Sequence, residues 1–164
     1  MDILTERGAE TLRDEVRAKA IFLATHTAYS YIETPKDQPA SVDAFLVRDG
    51  IIRSVVETKC RYDCDYNKFS AQYESQWLVT MNKIERARAI ALGLCVPLVG
   101  FLYLRQSDLL LVQSITDHKG MYVPDITIKP TRTQATVNGG SIIRSNAYID
   151  MSGARAYQMF SVEA

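Results

Sequence analysis

The chain is poor in the residues that would tie it together covalently. It has three cysteines in 164 residues, Cys60, Cys64 and Cys95, and the odd count suggests no disulfide framework. Reduced thiols suit an intracellular chain. Only two histidines, His26 and His118, are present, and no Cys/His spacing matches a zinc pattern. No apolar run approaches the ~20 residues that span a bilayer. The opening residues Met1, Asp2, Glu6 and Arg7 are too charged for a secretory leader. The expectation is a cytoplasmic protein, or a phage-encoded one acting in the host cytoplasm, with no membrane partner. Net charge is also lacking, with 19 Lys and Arg against 19 Asp and Glu, which argues against binding nucleic acid by bulk charge.

Ordinary globular material is present. Hydrophobic residues make up 47% and charged residues 23% of the chain, enough for one full core. The charge is unevenly spread. Residues 1–60 carry eight Lys and Arg against ten Asp and Glu, whereas residues 81–164 carry nine against six. A basic surface local to the second half is therefore expected.

Residues 4–20 read as an amphipathic helix capped by Thr5 or Asp2, with Gly8, Leu12, Val16 and Ala20 as its inward stripe. Glu15 lies about 60° from Leu12 on that helix, and Glu10 about 160° away, facing solvent. Residues 27–33 read as a strand, and 34–39 as a loop between two prolines. A hairpin follows, 42–48 and 51–60, joined by Asp49-Gly50. Residues 61–70 read as irregular. Residues 71–92 read as the strongest helix, with Tyr73, Trp77, Met81, Ile84, Arg88 and Ala91 near one face and Gly93 as its stop. Residues 96–104 form a near-continuous apolar strand of the kind buried on both faces, and 109–115 another. After Asp117 the chain turns rich in Thr, Ser and β-branched residues. A hairpin turn at 137–141 is expected between strands 126–137 and 142–149. The expected order is α-β-β-β-α-β-β over residues 1–117, with a β-rich extension over 118–164 packed on that core as a single domain.

Chemistry gathers at the Asp49-Gly50 hairpin. Asp43 lies near the start of the first strand, and Glu57 and Lys59, two apart, project from one face of the second. The turn folds Asp43 back towards Glu57. Two carboxylates held together repel unless they share a cation or a proton. Mg²⁺ suits such a pair, since it takes one or two carboxylates and keeps several waters. Lys59 could orient one of those waters or stabilise charge on a phosphate, and the backbone carbonyl of Thr58 is a natural extra ligand. The plain alternative for all three residues is an exposed cross-strand Lys–carboxylate pair. The flanking Phe45, Leu46, Val55 and Val56 speak for a buried hairpin, where charges need a reason.

Val42-Asp43-Ala44-Phe45-Leu46, followed by Val55-Val56-Glu57-Thr58-Lys59, resembles the PD-(D/E)XK nuclease superfamily over roughly residues 4–115. The core of that family is a helix, a three-stranded meander carrying Asp and Glu-x-Lys, a second helix and a further strand. Ser41-Val42 departs from the proline that often precedes the family's Asp. The resemblance implies a restriction-endonuclease-like α/β core, a mixed sheet flanked by helices. It also implies Mg²⁺-dependent phosphodiester hydrolysis, with Asp43 and Glu57 as ligands and Lys59 assisting the water. Mn²⁺ is expected to substitute. Many members, Holliday-junction resolvases among them, add an acid from the first helix, a position that Glu15 matches; its plain alternative is a helix pair with Lys19. The second helix often adds a polar residue, for which Gln76 and Lys83 are candidates; their plain alternative is a solvated helix edge. A DNA endonuclease acting as a homodimer or higher symmetric oligomer is the expected function, with Lys129, Arg132, Arg144 and Arg155 contacting phosphates. The alternative is a nucleic-acid-binding or assembly module that keeps the fold with little activity.

Overall fold

Helix α1 (Glu6–Thr25) turns Asp14, Ala18, Ile21 and Phe22 inwards. The expected stripe through Val16 and Ala20 is not the buried one: Val16 is 61% exposed, and Ala20 also faces outwards. A carboxylate accounts for the difference. The Arg105 guanidinium grips both oxygens of Asp14 at 2.8–3.0 Å, which lets a charged residue occupy the inner face. Glu10 lies within 3.7 Å of the same guanidinium instead of standing free in solvent. The computed structural model describes residues 6–36, 40–132 and 143–159. The expected caps Asp2 and Thr5, part of the expected loop over 34–39 and the expected turn at 137–141 lie outside them.

Strands β1 (Ser30–Glu33), β2 (Ala44–Arg48), β3 (Ile51–Arg61), β5 (Leu98–Leu104), β6 (Leu109–Thr116) and β9 (Arg155–Tyr157) form one six-stranded sheet in the order β1-β2-β3-β5-β6-β9. The β3–β5 pair is parallel and the others antiparallel, so the sheet is mixed. Every residue of β5 is buried, as its apolar run leads one to expect for a central strand. One face packs on α1 through Ala44, Leu46, Val56 and Phe101. The other presents Val55, Leu98 and Leu102 to α3 (Met81–Gly93) and to a second sheet. That second sheet has the order β4-β8-β7, from Gln76–Thr80, Ile143–Asp150 and Ile126–Arg132. The protein is thus an α/β fold with a mixed sheet and helices on both faces. Among the described residues no helix is long and apolar enough to cross a membrane.

The expected single helix over 71–92 is divided. Helix α2 (Tyr66–Gln72) occupies the stretch read as irregular, and Asp65 caps it by accepting the Lys68 N–H at 2.7 Å. Glu74 and Ser75 then take φ of 50° and 56°, which no α-helix can carry. Strand β4 follows, burying Trp77 and Val79 in alternation against β8, and only then does α3 begin. Gln76 is consequently a strand residue, not a neighbour of Lys83 on one helix face.

Trp77 lies against the main sheet at Gly100. A Cβ on Gly100 would collide with the indole and come within 2.9 Å of Ile115 Cδ1. Gly100→Ala is expected to destabilise the fold by about 1–3 kcal/mol, read from urea midpoints. Gly93→Ala is the control: its methyl would meet nothing within 4 Å, and it should be neutral or slightly stabilising.

Candidate active site

The hairpin turns tightly at Asp49 and Gly50, whose φ values of 55° and 72° are those of a two-residue turn with both centres left-handed. An unbroken ladder from this turn would set Asp43 opposite Val56, on the wrong face for Glu57. A bulge prevents that. Val47 pairs with Ile52 but Leu46 pairs with Ser54, so Arg53 is the extra residue. The shifted ladder pairs Ala44 with Val56, and its continuation brings Asp43 level with Glu57. Residues 43, 45, 55 and 57 then look towards α3.

Glu57 is 1% exposed. Its Oε1 is ion-paired with Lys83 Nζ, and its Oε2 is buried with no hydrogen-bond partner among the described residues. The same ammonium lies 3.5 Å from Asp43 Oδ2. That oxygen also accepts the Thr58 N–H at 2.7 Å. A strand residue directs its N–H and C=O to the same edge, so the Thr58 carbonyl faces the Asp43 side too. One cation, Lys83, thus serves two carboxylates.

Burial pushes the Glu57 carboxyl up to about 8, and the neighbouring Asp43 charge pushes the same way. Burial opposes the Lys83 charge, yet Glu57 and Asp43 outweigh it and hold its pKa above the ordinary lysine value. Lys59, two residues on from Glu57, is shifted the other way. Desolvation, then Arg61 and Lys83, lower its pKa.

Glu15 is connected to this group indirectly. Lys36 Nζ stands 2.9 Å from Glu15 Oε2 and 3.9 Å from Asp43 Oδ1, so a lysine separates the two acids. Lys19, the expected partner of Glu15, instead lies 3.6 Å from Glu33. Lys36 was not legible as a site residue, because a single lysine in a proline-flanked loop has no pattern. Lys83 is no solvated helix edge; it is the residue that reaches both carboxylates. Gln76 lies elsewhere, lining a cavity of about 300 Å³ with Arg61, Tyr73 and Tyr148. The basic residues of the second half divide. Lys129 and Arg144 share one face of β7–β8 by register, Arg132 projects from the other, and Arg155 is on β9 in the main sheet.

No protein-family model and no curated protein matches this chain.

The donor set suits a hard divalent cation. Among the described residues no group of three or more His, Cys, Asp or Glu side chains converges. Asp43 and Glu57 supply two carboxylates, the number Mg²⁺ ordinarily takes from protein while keeping waters. The unpartnered Glu57 Oε2 is an oxygen whose burial a cation would compensate.

The raised Glu57 pKa makes stability pH-dependent. Its folded-state value of about 8 exceeds the ordinary 4.5, so its contribution is full below pH ~4.5 and is lost as pH rises through ~8. In chelator, wild-type stability should fall by on the order of a few kcal/mol across that window. Glu57→Gln should flatten the profile; parallel urea-unfolding profiles for the two proteins would remove the assignment.

Proposed function

We propose that the protein is a Mg²⁺-dependent nuclease, a DNA endonuclease of the PD-(D/E)XK type, with its core over residues 1–117. What carries this reading is the pair Asp43–Glu57, set on one face by a bulge, sharing one cation, with Lys59 next on the same face. Asp43, Glu57 and the Thr58 carbonyl would hold the ion. Bound there, Mg²⁺ would polarise a phosphoryl oxygen and lower the pKa of a water. Lys59, next on the same face, would orient the attacking water or stabilise charge on the phosphate. Lys83, released from the carboxylates, turns its ammonium to the phosphate being cleaved. Lys36 holds Glu15 beside Asp43, which makes Glu15 a positioning group. Lys129 and Arg144 contact phosphates from one face, and a symmetric dimer would supply one site for each strand of a duplex.

The test is cleavage of supercoiled plasmid, circular single strand and branched DNA in Mg²⁺ or Mn²⁺. Asp43→Ala, Glu57→Ala and Lys59→Ala should each lower the rate by about 100-fold or more with the fold intact. An Asp43→Ala protein that cuts at the wild-type rate sinks the assignment. Glu15→Gln should slow cleavage less than any of these.

One observation favours a second reading, a binding module with little activity: Lys83 already neutralises both carboxylates. If wild type and Lys83→Ala both fail to cut any of these substrates, that reading prevails.

A further inference from the structure

Beyond the carboxylates, β3 continues along the same face through Lys59 to Arg61, which is near enough to Lys59 to depress its pKa. Arg61 is four steps along the strand from Glu57, about 13 Å at the usual rise. Arg61 opens onto the 300 Å³ cavity bounded by Tyr73, Glu74, Gln76, Lys129 and Tyr148. A second wall runs back from the cavity. Strand β4 starts at Gln76 and leads directly into α3, whose Lys83 touches Asp43 and Glu57.

The cavity wall is built in a particular way. The Arg61 guanidinium lies over the Tyr73 ring at 5.3 Å, and the Lys129 ammonium over the Tyr148 ring at 5.5 Å. Each cation fixes one ring face, and each ring stays only partly buried. Arg61 Nε is buried and has no hydrogen-bond partner among the described residues. Gln76 and Glu74 add amide and carboxylate groups able to meet the polar edge of a planar ring. Tyr148 and Lys129 are on one face of the second sheet, while Trp77, Val79, Ala147 and Ile149 fill the core behind it.

We infer that this cavity holds an unpaired nucleobase of the strand whose phosphodiester lies at Asp43, Glu57 and Lys59. Aromatic rings with interleaved cations are the surface that unpaired nucleotides select, since the base stacks and the backbone meets the charges. A paired base is stacked on its neighbours and cannot enter. The substrate class is therefore single-stranded or locally unpaired nucleic acid. This deepens the nuclease reading and rests on it for the placing of the phosphodiester, but the cavity can be tested without cleavage.

The experiment is fluorescence anisotropy in chelator, with a labelled mixed-sequence single strand and the same sequence as a duplex. A 2-aminopurine in the single strand reports stacking. The single strand should bind about tenfold or more tighter than the duplex, with 2-aminopurine quenched. Tyr148→Leu should weaken single-strand binding by about tenfold and relieve the quench, while Tyr148→Phe, which keeps the ring, retains both. Lys129→Ala, at an exposed position, should weaken binding without touching the core and stands in if the leucine variant does not fold. Equal affinity for both forms, or single-strand binding and quenching unchanged in Tyr148→Leu or Lys129→Ala, overturns the inference. Stacking that persists in a protein that cuts nothing in Mg²⁺ or Mn²⁺ would leave the cavity standing and remove only the catalytic reading.

Discussion

Two carboxylates at one end of a hairpin repel each other, and one of them, Glu57, is almost wholly removed from water. Burying a charge without compensation is far more unfavourable than any surface pair can offset. The surroundings answer this on each side. Lys83 comes from α3 to both acids, the Thr58 N–H from within β3 to Asp43, and Lys36 from the loop after β1. Three separate parts of the chain are therefore held to one point by electrostatics. Residual frustration persists at Glu57 Oε2, which finds no partner among the described residues. A buried polar atom left without a partner in an otherwise well-packed protein calls for an explanation, and the proposed cation supplies one.

The rest of the fold places that point at a junction. Parallel pairing of β3 with β5 puts Glu57 beside Gly100, the residue against which Trp77 packs. Trp77 belongs to β4, and β4 runs straight into α3, so the second sheet and Lys83 are fixed by one short segment. The opposite face of β3 is tied to α1 by other means. Tyr31 and Thr58 hydroxyls meet at 3.2 Å, and Ala18, Ile21 and Phe22 close over Ala44 and Val56.

What was legible in the sequence was local. The Asp49-Gly50 turn, the β2–β3 hairpin, the buried β5 and the return of Asp43 towards Glu57 all follow from neighbours in the chain, but the face the two acids share does not. What was hidden depends on distant partners. β4 is five residues of period-two burial inside a window that also suits a helix, and only its pairing with β8, some 70 positions on, decides between them. Asp14 looks like a solvent residue until Arg105 is brought to it. The bulge at Arg53 has no signature in residue type, although it determines which face Asp43 shares. The cavity beyond Arg61 is assembled from β3, the α2–β4 corner, β7 and β8, and no short motif could reveal it.

In the proposed site, a divalent cation at Asp43 and Glu57 would displace both a proton and Lys83. Calorimetric titration with Mn²⁺ at pH 7, repeated in two buffers of different ionisation heat, addresses it directly. Saturable binding is expected, with protons released to the buffer, because Glu57 is held up to about 8 and must ionise to ligate. Asp43→Ala should abolish the binding. Absence of binding, or heats identical in the two buffers, would contradict the proposed site.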